Sequence, residues 1–517
     1  MPSANSMRVR LTAGAVAYLK RFRPFAGEFS RPGSPQRRVV LQHSWPVRRW
    51  LNAVQPFTIE PGAIPQIMPG HSRQWSGRRK RMKFRKTGQV LLAVAATAAV
   101  GLGTISCGQS HTIDYVYVTS NKNSPGEINA FRVDSQSGAL TQITGSPFAS
   151  GGNNPVAEVT SPDSQYLFVA NRDDGSVVRF QIGSDGTLAK QNACTTPGSS
   201  PSSMTFSSDG TLLFVVDFYQ SGFSDTNPGP GDLVVYNVNS DGSLGTAAGN
   251  CTPVTNTATG QPYWALGRYP GTVATTPLTF VSASTPGANS TLYPYVFVTA
   301  TNTYVTTTTP PTTGAPPAPS GLQGQIYGFS IAKGGVLSSV AGSPFTAGAT
   351  PTGLALDPTG RFLYTTDSQQ DQLIGYTIST KGVLTAINSG PVATGTFPVA
   401  VTVDPTGFYA YLVNYTSGTV SEYAIDQATG APTAGASSAA KADAGASSIV
   451  IDPGLARVVL TANFTGADIT SMTLNPNTGA LSENPNSPYP TGGQPTAVIA
   501  VPHGNHATTH VQSGAGD

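Results

Sequence analysis

DPTGRFLYTTD, residues 357–367, returns 47 residues further on as DPTGFYAYLVN, residues 404–414. Each copy writes an Asp-Pro-Thr-Gly turn, then an apolar, β-branched and aromatic run, and closes on Asp or Asn. A turn followed by a strand at fixed spacing marks a stacked supersecondary unit, so the number of copies decides the fold. One large residue recurs in the third strand of each unit: Phe131, Phe180, Tyr236, Phe329, Tyr376, Tyr423 and Met472. A second column follows it by eight or nine residues, at Leu140, Leu188, Leu244, Leu337, Leu384, Pro432 and Leu481. Two columns that agree seven times make seven units, 47 to 56 residues apart except for one stretched to 93.

Each unit reads as four strands. In the second they are Val156–Ser161, Tyr166–Asn171, Ser176–Ile182 and Thr187–Cys194, with SPDS and GSDG as tight turns. Four-stranded units at this spacing predict an all-β, seven-bladed β-propeller over residues 112–502. PTAVIAVP, residues 495–502, is a first strand with no unit after it, and YVYVTSN, residues 115–121, is a second strand with none before it. The C-terminal strand is therefore expected to complete the first blade and so remove two exposed sheet edges.

Only 11% of the 517 residues are charged, and 57 Gly and 42 Pro accompany them, which suits short strands joined by tight turns. The formal charge of +3 hides an asymmetry: residues 1–81 hold 15 Lys or Arg against Glu28 and Glu60, whereas from Cys107 onward 11 basic residues face 24 acidic ones. A folded part so acidic is not a nucleic-acid binder, which needs a basic face. The basic, Pro-rich segment 1–81 has no sustained period and reads as an upstream extension that is not translated, or as a disordered arm. Residues 82–107 have the pattern of an export signal: Lys83, Arg85 and Lys86, then an apolar stretch from Val90 to Ile105. Thr104-Ile105-Ser106-Cys107 resembles a bacterial lipobox, with Thr104 where Leu is preferred. It implies a lipidated Cys107 and a membrane anchor at the cell envelope; simple secretion and an uncleaved anchor are the alternatives. The tail, residues 503–517, reads as disordered. Its three histidines have nothing rigid to hold them as ligands, and no metal or cofactor is assigned.

DPTGRFLYTTD, DPTGFYAYLVN, SPDSQYLFVANRDDGSVVRFQI and the recurring GSPF (145–148, 342–345) and NSPY (486–489) resemble the seven-bladed lactonase propellers of the 6-phosphogluconolactonase type. The resemblance covers residues 115–502 and implies the fold; these motifs are turn and core residues and do not carry activity. Relatives include sugar-lactone hydrolases and a muconate-lactonizing enzyme that uses histidine, arginine and glutamate on the channel. This chain has no histidine between His111 and His503. A lactonase here would need a carboxylate base. Aligned first strands give Glu158 in a column otherwise filled by Met204, Leu354, Val401, Ile449 and Val498. A carboxylate there is either functional or held in a salt bridge with Arg132, Arg172 or Arg179. In the catalytic reading Glu158 activates water and Arg172 stabilises the oxyanion.

Strand order puts the long insertions, Phe218–Gly231, Thr252–Pro277 and Asn302–Gln323, on one face of the disc, where loops carry function. The middle one holds Tyr263, Trp264, Arg268 and Tyr269, which would stack on a sugar or lactone and pair with its anionic group, or simply fasten the loop. Asn171, Asp217, Asp367, Asn414 and Asn463 end the second strands on that face as turn caps or as a ligand ring. Cys194 and Cys251 fall at nearly equivalent points late in the fourth strands of adjacent blades, either bonded or as two thiols. Two function classes remain: a monomeric, envelope-attached binding or scaffold propeller, and a sugar-lactone hydrolase.

Overall fold

The computed structural model describes residues 112–121, 124–247, 249–277, 294–304, 321–435 and 439–503; Cys107, residues 1–81 and 82–107, and the tail beyond His503 lie outside the described residues. Seven antiparallel sheets form the blades of a propeller. Their first, innermost strands are Gln494–Pro502, Pro155–Thr160, Ser199–Phe206, Pro270–Thr275, Pro351–Leu356, Pro398–Val403 and Ala446–Ile451. The C-terminal strand pairs with Thr112–Asn121, with Val118 opposite Val498, so the first blade is built from both ends of the propeller chain.

The residue column that set the unit count is the core. Phe131, Phe180, Tyr236, Phe329, Tyr376, Tyr423 and Met472 are all buried in third strands. Each stands opposite an apolar second-strand residue, in order Val116, Leu167, Leu213, Val296, Leu363, Ala410 and Val459. Neighbouring blades are then tied by buried hydroxyls. Tyr117, Tyr364 and Tyr411 donate to the turn carbonyls of Gly186, Gly430 and Gly479 in the next blade, at 2.9, 2.7 and 2.8 Å. Nearer the axis, Thr496, Thr272 and Thr352 donate to the inner-strand carbonyls of Pro155, Thr352 and Pro398, at 2.7, 2.7 and 3.0 Å. Buried donors and acceptors satisfied across a seam fix the blades' register as well as their contact.

The GSPF and NSPY motifs mark where the outer strand breaks in two. Ser146, Ser343 and Ser487 each accept, through the hydroxyl, a third-strand amide left free by the break, from Ala130, Gly328 and Ser471. They are structural devices.

Two expectations need correction. Thr252–Pro277 is not one insertion, because Trp264–Ala265 forms the outer strand of the third blade and Pro270–Thr275 the inner strand of the fourth. The true outer strand comes twenty residues after Leu244, whose place is marked only by an isolated bridge to Val238. For the same reason Cys251 is not in a fourth strand; it lies in an irregular segment with φ of 54°. It is nevertheless bonded to Cys194, with Cα atoms 5.4 Å apart.

Candidate functional site

The loop-bearing face is where the second strands end and the third begin. Its polar ring proves to be capping. Asp367 accepts the amides of Ala349, Thr350, Gln369 and Gln370 at 2.7 to 3.2 Å. Asn171 shares hydrogen bonds with Ser150, and Asn414 donates to Thr419 and Ser421. All are buried and hydrogen-bonded, with only the Asn414 amide oxygen among these three left without a partner, and the described residues contain no group of three potential metal-ligating side chains.

Glu158 and Arg172 lie on the same blade but turn to different neighbours. Glu158 is half-buried as a residue, yet both carboxyl oxygens are closed to solvent and neither makes a hydrogen bond. None of Arg132, Arg172 and Arg179 forms a salt bridge with it. Burial pushes its pKa well above the usual carboxylate range, and the Thr119 backbone of the first blade, outside hydrogen-bond geometry, offsets this only in part. Burial thus favours the protonated form of Glu158. Arg172 reaches the other way, toward the third blade. Its buried guanidinium lies 3.6 Å from Asp225 and sits 5.8 Å from the centre of the Phe218 ring.

Asp225 belongs to the Phe218–Gly231 insertion, and a small aromatic platform gathers around it. Tyr219 donates to Asp225 at 3.0 Å, and the Phe218 ring packs against Tyr219 at 4.9 Å and Tyr269 at 5.6 Å. Tyr269 adopts φ of 50° just before Pro270, at the point where the chain enters the inner strand of the fourth blade. That left-handed turn lets Tyr269 meet the loop of the blade before it. Burial first, then Asp225 as hydrogen-bond acceptor and charge, pushes Tyr219 up to about 12, so it is a neutral donor.

The other expected ligand residues are placed apart from this platform. Trp264 is buried in the core between the third and fourth blades, with its indole N–H given to the Leu337 carbonyl at 3.0 Å. Its face is used in packing, which removes it from the ligand-binding set. Tyr263 is half-buried against the core of the second and third blades, and Arg268 is exposed with its backbone amide on Asn302. Phe218, Tyr219 and Asp225 were missed as individual residues, although the insertion that carries them was visible.

Asp217 and Asp232 sit beneath the platform, opposite each other on the last rung of the third blade and both fully buried. Asp217 accepts Thr196 Oγ1 at 2.8 Å and the Gly198 amide at 3.1 Å; neither oxygen of Asp232 has a hydrogen-bond partner. Burial raises both, and for Asp232 the neighbouring Asp217 charge adds to it.

A family model described as "Lactonase, 7-bladed beta-propeller" matches residues 115–252 and 302–448. The 6-phosphogluconolactonase of Photorhabdus laumondii is 38% identical over 66 residues, 13% of this chain, and the match spans 20% of that relative's length. A periplasmic gluconolactonase from Pseudomonas aeruginosa is similar in structure, with a TM-score of 0.56 at 17% identity over 75% of this chain and 99% of its own. A Bacteroides fragilis protein described only provisionally as a 6-phosphogluconolactonase gives 0.53 at 18% identity, over 77% and 99%. At these identities the structural likeness carries the fold alone.

Proposed function

The chain belongs to the seven-bladed β-propeller lactonase family, and from that premise we propose that it is an exported, lipid-anchored binding or scaffold propeller of the cell envelope. The observation that carries this reading is the separation of Glu158 from Arg172. Carboxylate-driven hydrolysis needs an ionised base beside an oxyanion-stabilising cation. Here the channel carboxyl is enclosed and unpaired and burial disfavours its ionised form, while the arginine is held against Asp225 on the far flank of the blade. In the cluster of Phe218, Tyr219, Tyr269 and Arg172 the half-buried Tyr269 and the exposed Asp225 reach the surface, which instead suits a sugar or lactone held at this rim by a monomeric protein.

Export rests on the signal-like residues 82–107 and gains support from the Cys194–Cys251 bond, since disulfides persist in oxidising compartments. The alternative is a lactone hydrolase with Glu158 as base, favoured by the family match itself.

A panel of sugar lactones offered to the mature protein beside Glu158→Gln separates the two. The binding reading expects no turnover above the spontaneous rate in either form. Turnover present in the wild type and lost in the variant would overturn it. Mass spectrometry of the protein from its host tests the anchor: a diacylglyceryl Cys107 is expected at the N-terminus, and peptides from residues 1–81 in the mature protein would contradict it.

A further inference from the structure

The seven blades provide an internal control for the acid pair. The rung four residues past the core column, toward the loop-bearing face, holds Ser120–Glu127, Asn171–Ser176, Ala300–Gln325, Asp367–Gln372, Asn414–Thr419 and Asn463–Asp468 in six blades. Each has at most one acid. Where an amide faces an acid, in the seventh blade, Asn463 donates to Asp468 at 2.7 Å. In the third blade alone the rung is acid against acid, Asp217 with Asp232.

Cross-strand partners on such a rung have Cβ atoms roughly 5 Å apart, so two ionised carboxylates repel directly. Both are closed to bulk solvent, and among the described residues no cationic side chain pairs with either. Asp217 has Pro201 on its other flank and Asp232 has Ala265. The adjoining blades present Thr196 and Gly198 on one side and Pro270, against Gly231, on the other. Above, Arg172 and Tyr219 are engaged with Asp225; below, Tyr236 sends its hydroxyl to the Thr195 carbonyl. The charge that bears on Asp232 is that of Asp217.

These two residues are also the stems of the insertion: Asp217 immediately precedes Phe218, and Asp232 immediately follows Gly231. We propose that Asp217 and Asp232 form a proton-operated catch, in which one proton on the facing pair spares the stems of the Phe218–Gly231 loop from like-charge repulsion and its loss loosens the loop. Asp232, whose two oxygens make no hydrogen bond, carries the proton, while the oxygens of Asp217 already accept Thr196 and Gly198. Releasing that proton to solvent leaves two buried negative charges at the base of the loop. The loop holds Asp225 and continues from Phe218 and Tyr219 at the end of the second strand, so the catch governs the face assigned above to ligand binding and in that sense rests on that reading.

Hydrogen-exchange mass spectrometry on the full mature protein tests the catch without any ligand. Peptides spanning residues 217–232 are followed from pH 6 to pH 10, with rates corrected for intrinsic exchange. One proton linked to opening makes loop protection fall by about tenfold per pH unit once the pair titrates. Asp217→Asn, which recreates the Asn463–Asp468 rung, and Asp232→Asn should each keep the loop protected across the range. A flat wild-type profile would overturn the catch, as would an equal fall in both variants. Loosening of the wild-type loop by EDTA at pH 7, reversed by calcium, would also overturn it, because a bound cation would then replace the proton. A flat profile leaves the binding reading untouched, whereas lactone turnover lost in Glu158→Gln refutes that reading and leaves the catch standing.

Discussion

The hydroxyls of Thr119 and Thr496 lie 3.0 Å apart although 377 residues of chain separate them. Thr496 also donates to the Pro155 carbonyl of the second blade at 2.7 Å, so one side chain fastens the last strand both to its own blade and to the next. The ring is closed by hydrogen bonds and by the buried cluster of Val116, Val118, Val498 and Ala500. Deleting residues 495–502 should expose two sheet edges and uncover this cluster. The expected outcome is aggregation, or a melting transition well below that of the intact protein by scanning calorimetry. An unchanged melting curve would show that the ring does not depend on this seam.

The bond between Cys194 and Cys251 closes a separation of 57 residues and ties the second blade to the irregular segment that leads into Trp264. Loop-closure entropy assigns such a bridge about 4 kcal/mol. Cys194→Ser and Cys251→Ser, singly or together, should lower the unfolding free energy in denaturant melts by a similar amount, and reductant should do the same to the wild type. Thiol titration of the unfolded, unreduced protein checks the premise. No free thiol at these two positions is expected, and two would refute the bond.

The repeat made most of the fold legible, because the column through Phe131, Phe180 and Tyr236 is a core requirement that every blade must meet. It failed where a blade departs from the pattern. The third blade has its outer strand at Trp264–Ala265, and PGTVAT, residues 270–275, was not recognised as a first strand beside PTGLAL because it lay inside what read as a loop. Trp264 drew attention as a rare aromatic among tyrosines and glycines, the composition of a binding loop, but its register opposite Leu233 commits it to the core. The pairing of Arg172 with Asp225 joins two blades, and no local spacing encodes it. Glu158 did stand out in sequence, since one acid in an apolar column needs no tertiary information to notice; the enclosure of its carboxyl without a partner does.

Asp114, on the first blade, has both carboxyl oxygens enclosed and without a hydrogen-bond partner. It faces Asp452 of the seventh blade, which accepts the amides of Leu455, Arg457 and Val458 at 2.8, 2.6 and 2.5 Å. Burial first, and the Asp452 charge second, raise Asp114 far above the carboxylate range. A raised acid binds its proton more tightly when folded, so stability is lost as pH rises from the unfolded value of about 4 through the folded one. Each titrating group contributes up to about 1.4 kcal/mol per pH unit over that window. Asp114→Asn should flatten part of the slope between pH 5 and pH 9 in urea melts and leave exchange in the 217–232 loop unaffected. A variant with the wild-type slope would remove Asp114 from the closing seam's pH response.

Glu158 occupies a position filled in other inner strands by the buried apolar residues Met204, Leu354, Val401, Ile449 and Val498. Its carboxyl is enclosed, driven toward its protonated form by burial and makes no hydrogen bond, which is among the costlier ways to bury a polar group. Replacing it with a residue of similar length and no polar end removes that cost without opening a cavity. Glu158→Met should therefore raise stability at pH 7 by about 1 to 3 kcal/mol, the range for an unsatisfied buried polar group. The gain should shrink on the acid side, below the unfolded glutamate value of about 4, where the unfolded wild-type chain no longer gains free energy by ionising. Denaturant melts of the two proteins at pH 7 and pH 3.5 supply the comparison. A loss of stability at pH 7 would mean that the carboxyl holds a partner in solution, and would reopen the case for Glu158 as a working group on the channel.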